Sequence, residues 1–150
     1  MKRIMIDAEL CDGCMNCTLA CMNAHRTDGA ESIYTLSVTD PENESRNFIA
    51  QDSEKHYRPI FCRHCEEPMC VKSCMSGAMR KDPETGLVTY DREKCGSCFM
   101  CVMNCPFGAI KPDRKERSHV IKCDFCCDIP EGPSCVRACP KDAIHVEEVE

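Results

Sequence analysis

The sequence predicts an α+β protein of short helices and β hairpins, organised around bound metal in place of a large apolar core. Three observations predict it. Seventeen of the 150 residues are Cys, far above ordinary usage. Trp is absent and aromatic residues reach only 5%, so a conventional core is thin, and chains this rich in Cys are stapled by disulfides or wrapped around metal. The cysteines also fall in four quartets, each closing with the same three-residue step, which makes them a repeat. The length allows one domain, taken as 1–150.

The elements follow in chain order. Ile4-Met5-Ile6 reads as a short strand and Asp7 as an acidic turn ahead of the first quartet, Cys11-x2-Cys14-x2-Cys17-x3-Cys21. Residues 22–61 hold no Cys and separate the first two quartets by 40 residues, against 20 and 17 for the later gaps. Here a strand is predicted over Ser32–Val38, a polar turn at Asp40-Pro41-Glu42-Asn43, and a further strand ending at Phe61. Together they form a β insertion that covers the metal loops and can also serve as a docking surface. The second quartet is Cys62-x2-Cys65-x4-Cys70-x3-Cys74. Asp82-Pro83-Glu84-Thr85-Gly86 is a reverse turn joining two strands, the second being Leu87–Tyr90.

The third quartet, Cys95-x2-Cys98-x2-Cys101-x3-Cys105, is followed by Pro106. Residues Ala109–Lys122 repeat the hairpin, with Pro112-Asp113 starting its turn. The fourth quartet, Cys123-x2-Cys126-x8-Cys135-x3-Cys139, is followed by Pro140, and Cys127 is left over as a spare thiol. A small-residue turn and an apolar run follow three quartets, at Met75–Met79, Pro106–Ile110 and Pro140–Ile144. Short helices are expected after Cys17, Cys70, Cys101 and Cys135, since the x3 step is close to one helical turn. The tail Glu147-Glu148-Val149-Glu150 reads as a frayed terminus.

Composition excludes several classes. No run approaches eighteen apolar residues, so no transmembrane helix is expected. Lys2 and Arg3 lead into Ile4-Met5-Ile6-Asp7 without the apolar stretch of a secretory signal, which makes a reducing, cytoplasmic setting the expectation. A net charge of −6 argues against nucleic acid and anionic membrane as partners. No Gly-rich phosphate loop or nucleophile motif appears, so an enzyme in its own right is not expected.

Four soft thiolates suit zinc or iron–sulfur. Zinc sites take two ligands from each of two separated loops, whereas three cysteines in one tight loop suit a cubane, whose iron corners each take one. Cys-x2-Cys-x2-Cys-x3-Cys-Pro is the bacterial [4Fe–4S] pattern, and the third quartet matches it throughout. All sixteen quartet cysteines are therefore candidate ligands, for four [4Fe–4S] clusters. In two-cluster ferredoxins the fourth Cys ligates the other cluster, so quartets must pair. Either the first pairs with the second and the third with the fourth, or the first with the fourth and the second with the third. Pairing of the terminal strands Arg3–Ile6 and Ala143–Val146 favours the latter. Cys11, Cys14 and Cys17 would then share a cluster with Cys139, and Cys123, Cys126 and Cys135 with Cys21. Cys62, Cys65 and Cys70 would join Cys105, and Cys95, Cys98 and Cys101 would join Cys74.

At these residues, with Pro59-Ile-Phe-Cys-Arg-His-Cys65 and Gly77-Ala78, the chain resembles the four-cluster iron–sulfur subunits of the dimethyl-sulfoxide-reductase and formate-dehydrogenase type. The resemblance covers nearly the whole chain. Met22 and Met75 replace the usual Pro after the first two quartets. Cys11–Cys21, Glu44-Ser-Arg-Asn47 and Cys98–Pro106 are most similar to the small iron–sulfur protein that accompanies nickel carbon monoxide dehydrogenase. The resemblance implies two interleaved ferredoxin-like folds of the bacterial 2[4Fe–4S] kind. One cluster pair would lie on 1–21 with 106–150 and the other on 62–105, with 22–61 inserted. It supports the first-with-fourth pairing and implies a catalytic redox subunit as partner, carbon monoxide dehydrogenase favoured, with a downstream electron acceptor.

Fully ligated clusters leave no open metal position, so electron transfer is expected in place of substrate chemistry. The alternatives are the electron-transfer subunit of a molybdenum or tungsten aldehyde or formate oxidoreductase, or, from another class, an iron–sulfur redox sensor. His64, between two candidate ligands, could tune a potential or be an ordinary backbone-bonded imidazole. Met15, Met69, Met100 and Met103 read as adaptable apolar cover for the clusters.

Overall fold

Three hairpins in the chain are closed in the same way, by an Asp whose carboxylate collects backbone N–H groups. The computed structural model describes residues 1–149. Asp52 accepts from the N–H groups of Glu54 and His56, both at 2.9 Å, and joins β2 (Phe48–Gln51) to β3 (Tyr57–Ile60). Asp82 accepts from Glu84 N–H and from the Thr85 hydroxyl, joining β4 (Met79–Lys81) to β5 (Val88–Tyr90). Asp113 accepts from the N–H groups of Glu116, Arg117 and His119, joining β6 (Lys111–Pro112) to β7 (Val120–Ile121). The last two are the hairpins expected on either side of the third quartet.

The fourth antiparallel pair ties the two ends of the described chain together. β1 (Lys2–Ile6) runs beside β8 (Ile144–Glu148), with Ile4 opposite Val146 and Ile6 opposite Ile144. This corrects the expectation of a frayed tail. Glu147 and Glu148 face Arg3 and Lys2 across the ladder, and Val149 N–H bonds to Met1 O at 2.8 Å. Glu150 lies outside the described residues.

Four helices complete the fold: α1 (Asn16–Ala24), α2 (Met69–Lys72), α3 (Met100–Met103) and α4 (Ser134–Arg137). Helix α1 packs on α4, and α2 packs on α3. Two small cores result. Ile4, Phe61, Phe125 and Ile144 surround Cys17 and Cys135 in one; Met79, Ile110 and Val120 surround Cys101 in the other. Cysteine is thus part of both cores, as the thin apolar composition requires. Among the described residues no helix is long and apolar enough to cross a membrane.

A second correction falls at 32–38. The expected strand is a single 3-10 turn over Ile33–Thr35. Local bonds outcompete a ladder: Ser32 Oγ accepts from Tyr34 N–H at 3.3 Å, and Thr35 Oγ1 donates to Ser32 O at 2.8 Å. The Arg26 guanidinium then caps the turn by donating to Ser32 O and Thr35 O. Hairpin β2–β3 supplies the strand content of this segment.

Candidate metal centres

Each quartet bends back on itself by the same backbone device. The residue just before the second Cys is left-handed in all four: Gly13 (φ 74), His64 (φ 42), Ser97 (φ 54) and Phe125 (φ 64). Met15 and Phe99, before the third Cys of the two tight loops, are left-handed as well. Three of the four positions before the second Cys bear a side chain, so no glycine pattern marks them in the sequence. Gly13 is the exception for a steric reason: a Cβ there would lie 2.5 Å from the Tyr57 ring.

After three quartets the chain makes another left-handed turn, at Gly77, Gly108 and Asp142, and then buries an Ala. Two of these turns, at Gly77 and Gly108, and the loop of the fourth quartet aim backbone donors at sulfur. Met79 N–H and Ala109 N–H reach Cys74 Sγ and Cys105 Sγ, each at 3.4 Å, and Phe125 N–H reaches Cys123 Sγ at 3.3 Å. Cys21 differs, because α1 continues past it. Its donor is Arg46 N–H from the insertion, at 3.2 Å.

Glu44, Ser45 and Asn47 are buried, with Arg46 half-buried between them, and the segment clamps α1. Asn47 Oδ1 accepts from Thr18 Oγ1 at 3.1 Å, while its Nδ2 donates to Cys17 O at 3.3 Å. Arg46 pairs with Asp124 in the loop of the fourth quartet. His25 Nδ1 donates to Cys21 O at 2.8 Å and Nε2 to the same Asp124 at 3.2 Å. Burial works against a charge on His25, but the bonds to Asp124, Cys126 and Cys21 outweigh it and raise its pKa. No spacing in the sequence marked His25 and Asp124, and Arg46 stood out only within Glu44–Asn47, because the three meet only across the fold.

None of the 17 cysteines forms a disulfide. Cys11, Cys14, Cys17 and Cys139 line one pocket with Ile49 and Pro59; Cys74, Cys95, Cys98 and Cys101 line another with Tyr90 and Val120. Among the remaining eight quartet cysteines, several raise one another's thiols. Burial pushes the Cys65 thiol up, with Cys62 and Cys105 adding to it, and Cys70 likewise feels Cys62 and Cys105. Burial raises Cys135, reinforced by Cys123, Cys21, Cys126 and Cys17. Cys123 is pushed up to about 12 by burial and then by Cys62 and Cys21, and the ring of His64 meets that of Phe125 at 5.9 Å between centroids, which makes the second and fourth loops neighbours.

Burial alone would raise Cys74 as well, yet the Ser76 hydroxyl and the N–H groups of Met79, Ala78 and Ser76 outweigh it and its pKa falls. Such donors favour thiolate, the form that binds metal. Cys126 is buried whereas Cys127 is exposed. Met15, Met69, Met100 and Met103 are exposed, Met103 at 80%. None of the four is part of a buried core.

His64 is 1% exposed. Its Nδ1 accepts from Val88 N–H at 2.9 Å, and its Nε2 has no partner among the described residues. Burial, then the Lys122 cation, lowers its pKa to about 3. Lys122 is itself buried and donates to Val88 O at 2.5 Å and Cys123 O at 2.7 Å.

The donor set fits iron–sulfur chemistry. Two pockets each present four soft thiols with three drawn from one loop, and backbone N–H groups point at sulfur. Tetrahedral zinc sites use paired knuckles instead.

Comparison with known proteins agrees with that chemistry. Residues 53–149 match the family model described as a 4Fe-4S dicluster domain. The B subunit of the anaerobic dimethyl sulfoxide reductase of Escherichia coli K12 is 40% identical over 146 residues, covering 93% of this chain and 69% of its own length. Formate hydrogenlyase subunit 2 of the same strain is 31% identical over 180 residues, covering 97% and 82%. One polypeptide of the solved active site complex BamBC of benzoyl coenzyme A reductase with zinc superposes with a TM-score of 0.52 at 26% identity, covering 100% of this chain and 81% of that one.

Proposed function

The chain belongs to the 4Fe-4S dicluster family, and from that premise we propose that it is the electron-carrying subunit of an oxidoreductase complex, holding four [4Fe–4S] clusters. When bound, such clusters accept and release single electrons without an open metal position. The proposed ligand sets are Cys11, Cys14, Cys17 and Cys139; Cys21, Cys123, Cys126 and Cys135; Cys62, Cys65, Cys70 and Cys105; and Cys74, Cys95, Cys98 and Cys101. The observation that carries the reading is the crossing of the fourth cysteines. Cys139 lines a pocket with the first quartet's loop, and Cys74 lines one with the third quartet's loop.

The same crossing supports two interleaved ferredoxin-like halves, one on 1–21 with 106–150 and one on 62–105, with 22–61 inserted. It also orders the sets. Cys17 and Cys21 on α1, and Cys135 beside Cys139 after α4, join the first set to the second. The contact of His64, in the loop of Cys62 and Cys65, with Phe125, in the loop of Cys123 and Cys126, joins the second to the third. Cys70 on α2 with Cys74 just past it, and Cys101 on α3 with Cys105 just past it, join the third to the fourth. Cys14 and Cys98, in the two end sets, are exposed, so each end of the line meets the surface where a partner could exchange an electron.

For the donor at one end we propose a catalytic redox subunit. The similarity of Cys11–Cys21, Glu44–Asn47 and Cys98–Pro106 to the protein that accompanies carbon monoxide dehydrogenase favours that enzyme. The relatives named for dimethyl sulfoxide reductase and formate hydrogenlyase support the broader class. Adding carbon monoxide and its dehydrogenase to the oxidised, iron-loaded chain under anaerobic conditions tests the partner: bleaching of the visible absorbance is expected. Bleaching by a formate- or aldehyde-oxidising enzyme alone would assign the chain to that partner instead.

A further inference from the structure

We propose that His64 sets the reduction potential of a central cluster, by donating an Nε2–H hydrogen bond to one of its sulfurs. The inference rests on the four-cluster reading above. The geometry fixes which nitrogen carries the proton. Val88 N–H donates into Nδ1 at 2.9 Å, so Nδ1 is the acceptor nitrogen of a neutral ring and the proton sits on Nε2. The peptide of Val88 is held from its other side as well, since Lys122 Nζ donates to Val88 O. The imidazole therefore cannot turn over without breaking a bond that two buried groups maintain.

Nε2 is buried and has no partner among the side chains and backbone of the described residues. A buried donor left unpaired is costly, and each such group in a folded protein calls for an explanation. The ring stands at a junction that supplies one. Its backbone lies between Cys62 and Cys65, and its ring meets the edge of Phe125, at 5.9 Å between centroids and 86° between planes. Phe125 in turn lies between Cys123 and Cys126. The donor is thus housed where the loops of the two central sets meet, and cluster sulfur is the acceptor chemistry that belongs there. A cluster gains negative charge on reduction, so an N–H···S bond favours the reduced form and raises the potential.

The test uses the full chain, loaded with iron and sulfide, and redox titration of its four clusters followed by electron paramagnetic resonance. His64→Asn keeps an acceptor for Val88 N–H but does not reach the Nε2 position; His64→Gln reaches it with an amide N–H. In His64→Asn one central cluster should show a reduced-to-oxidised ratio about tenfold lower at fixed solution potential, about 59 mV for one electron. The other three should stay put, and His64→Gln should recover most of the shift. The cluster that moves, that of Cys62 or that of Cys123, identifies the acceptor. Four unmoved potentials at full iron content would overturn the proposal, as would equal shifts in Asn and Gln. If both variants lose iron, the protein labelled with 15N-histidine decides. A hyperfine-coupled imidazole nitrogen that persists in His25→Gln supports the bond, and its absence overturns it. A wild-type chain without iron and acid-labile sulfide would instead overturn the four-cluster reading itself.

Discussion

In the first quartet the chain runs on as helix: α1 carries Cys17 and Cys21 and continues to Ala24. In the third, α3 ends at Met103, Pro106 follows Cys105, and Gly108 turns the chain so that Ala109 N–H reaches Cys105 Sγ at 3.4 Å. The spacing of the four cysteines is the same in both. The third quartet therefore satisfies its last sulfur from its own turn, whereas the first borrows Arg46 N–H from a segment 25 residues away. One motif has been completed once by local backbone and once by tertiary contact. The insertion is the structural consequence: Glu44–Asn47 must pack against α1 to do what a turn does elsewhere.

The difference yields predictions of decreasing size. The largest effect is expected from the ligands. Cys14→Ser and Cys139→Ser should lose or convert one and the same cluster, and Cys98→Ser and Cys74→Ser should together share a different one. Iron analysis with spectra of each variant checks this; Cys139→Ser resembling Cys126→Ser instead would break the crossed assignment.

Next is Gly13. Gly13→Ala places a Cβ 2.5 Å from the Tyr57 ring on a left-handed backbone, and a cost of about 2–4 kcal/mol is expected from overpacking and backbone strain. Ser97 holds the matching position in the third quartet with φ 54. Ser97→Gly should therefore change stability by less than about 1 kcal/mol. Anaerobic denaturation of the two variants measures the contrast.

A smaller effect attaches to the clamp on α1. Asn47→Ala removes the bonds to Thr18 Oγ1 and Cys17 O and strands a buried hydroxyl, at about 1–3 kcal/mol. Hydrogen exchange should accelerate across α1 and leave α3 unchanged. Smallest is Glu147→Ala, at the solvent-exposed end of β8, where a change within about 0.5 kcal/mol is expected.

Much of this was legible because cysteine spacing is a one-dimensional signal. The quartets, the hairpin of β4 and β5, and the pairing of β1 with β8 all follow from local pattern or from strands that had only each other as partners. Ser32–Val38 misled because its β-branched and aromatic residues suit a strand, while Ser32, Thr35 and Arg26 supply enough local bonds to hold a turn. The left-handed residues His64, Ser97 and Phe125 were invisible for the opposite reason. Closing the loop around its centre imposes that backbone on whatever side chain stands there. The grouping of His25, Arg46 and Asp124 depends on the fold bringing residues about 80–100 positions apart into contact, and no periodicity records that.

The central claim, sixteen thiolates divided among four cubanes, is tested most directly by metal and acid-labile sulfide analysis of the chain purified without oxygen. The account predicts about sixteen irons and about sixteen sulfides per chain, with negligible zinc. Zinc without sulfide, or half that iron in a fully folded chain, would contradict it.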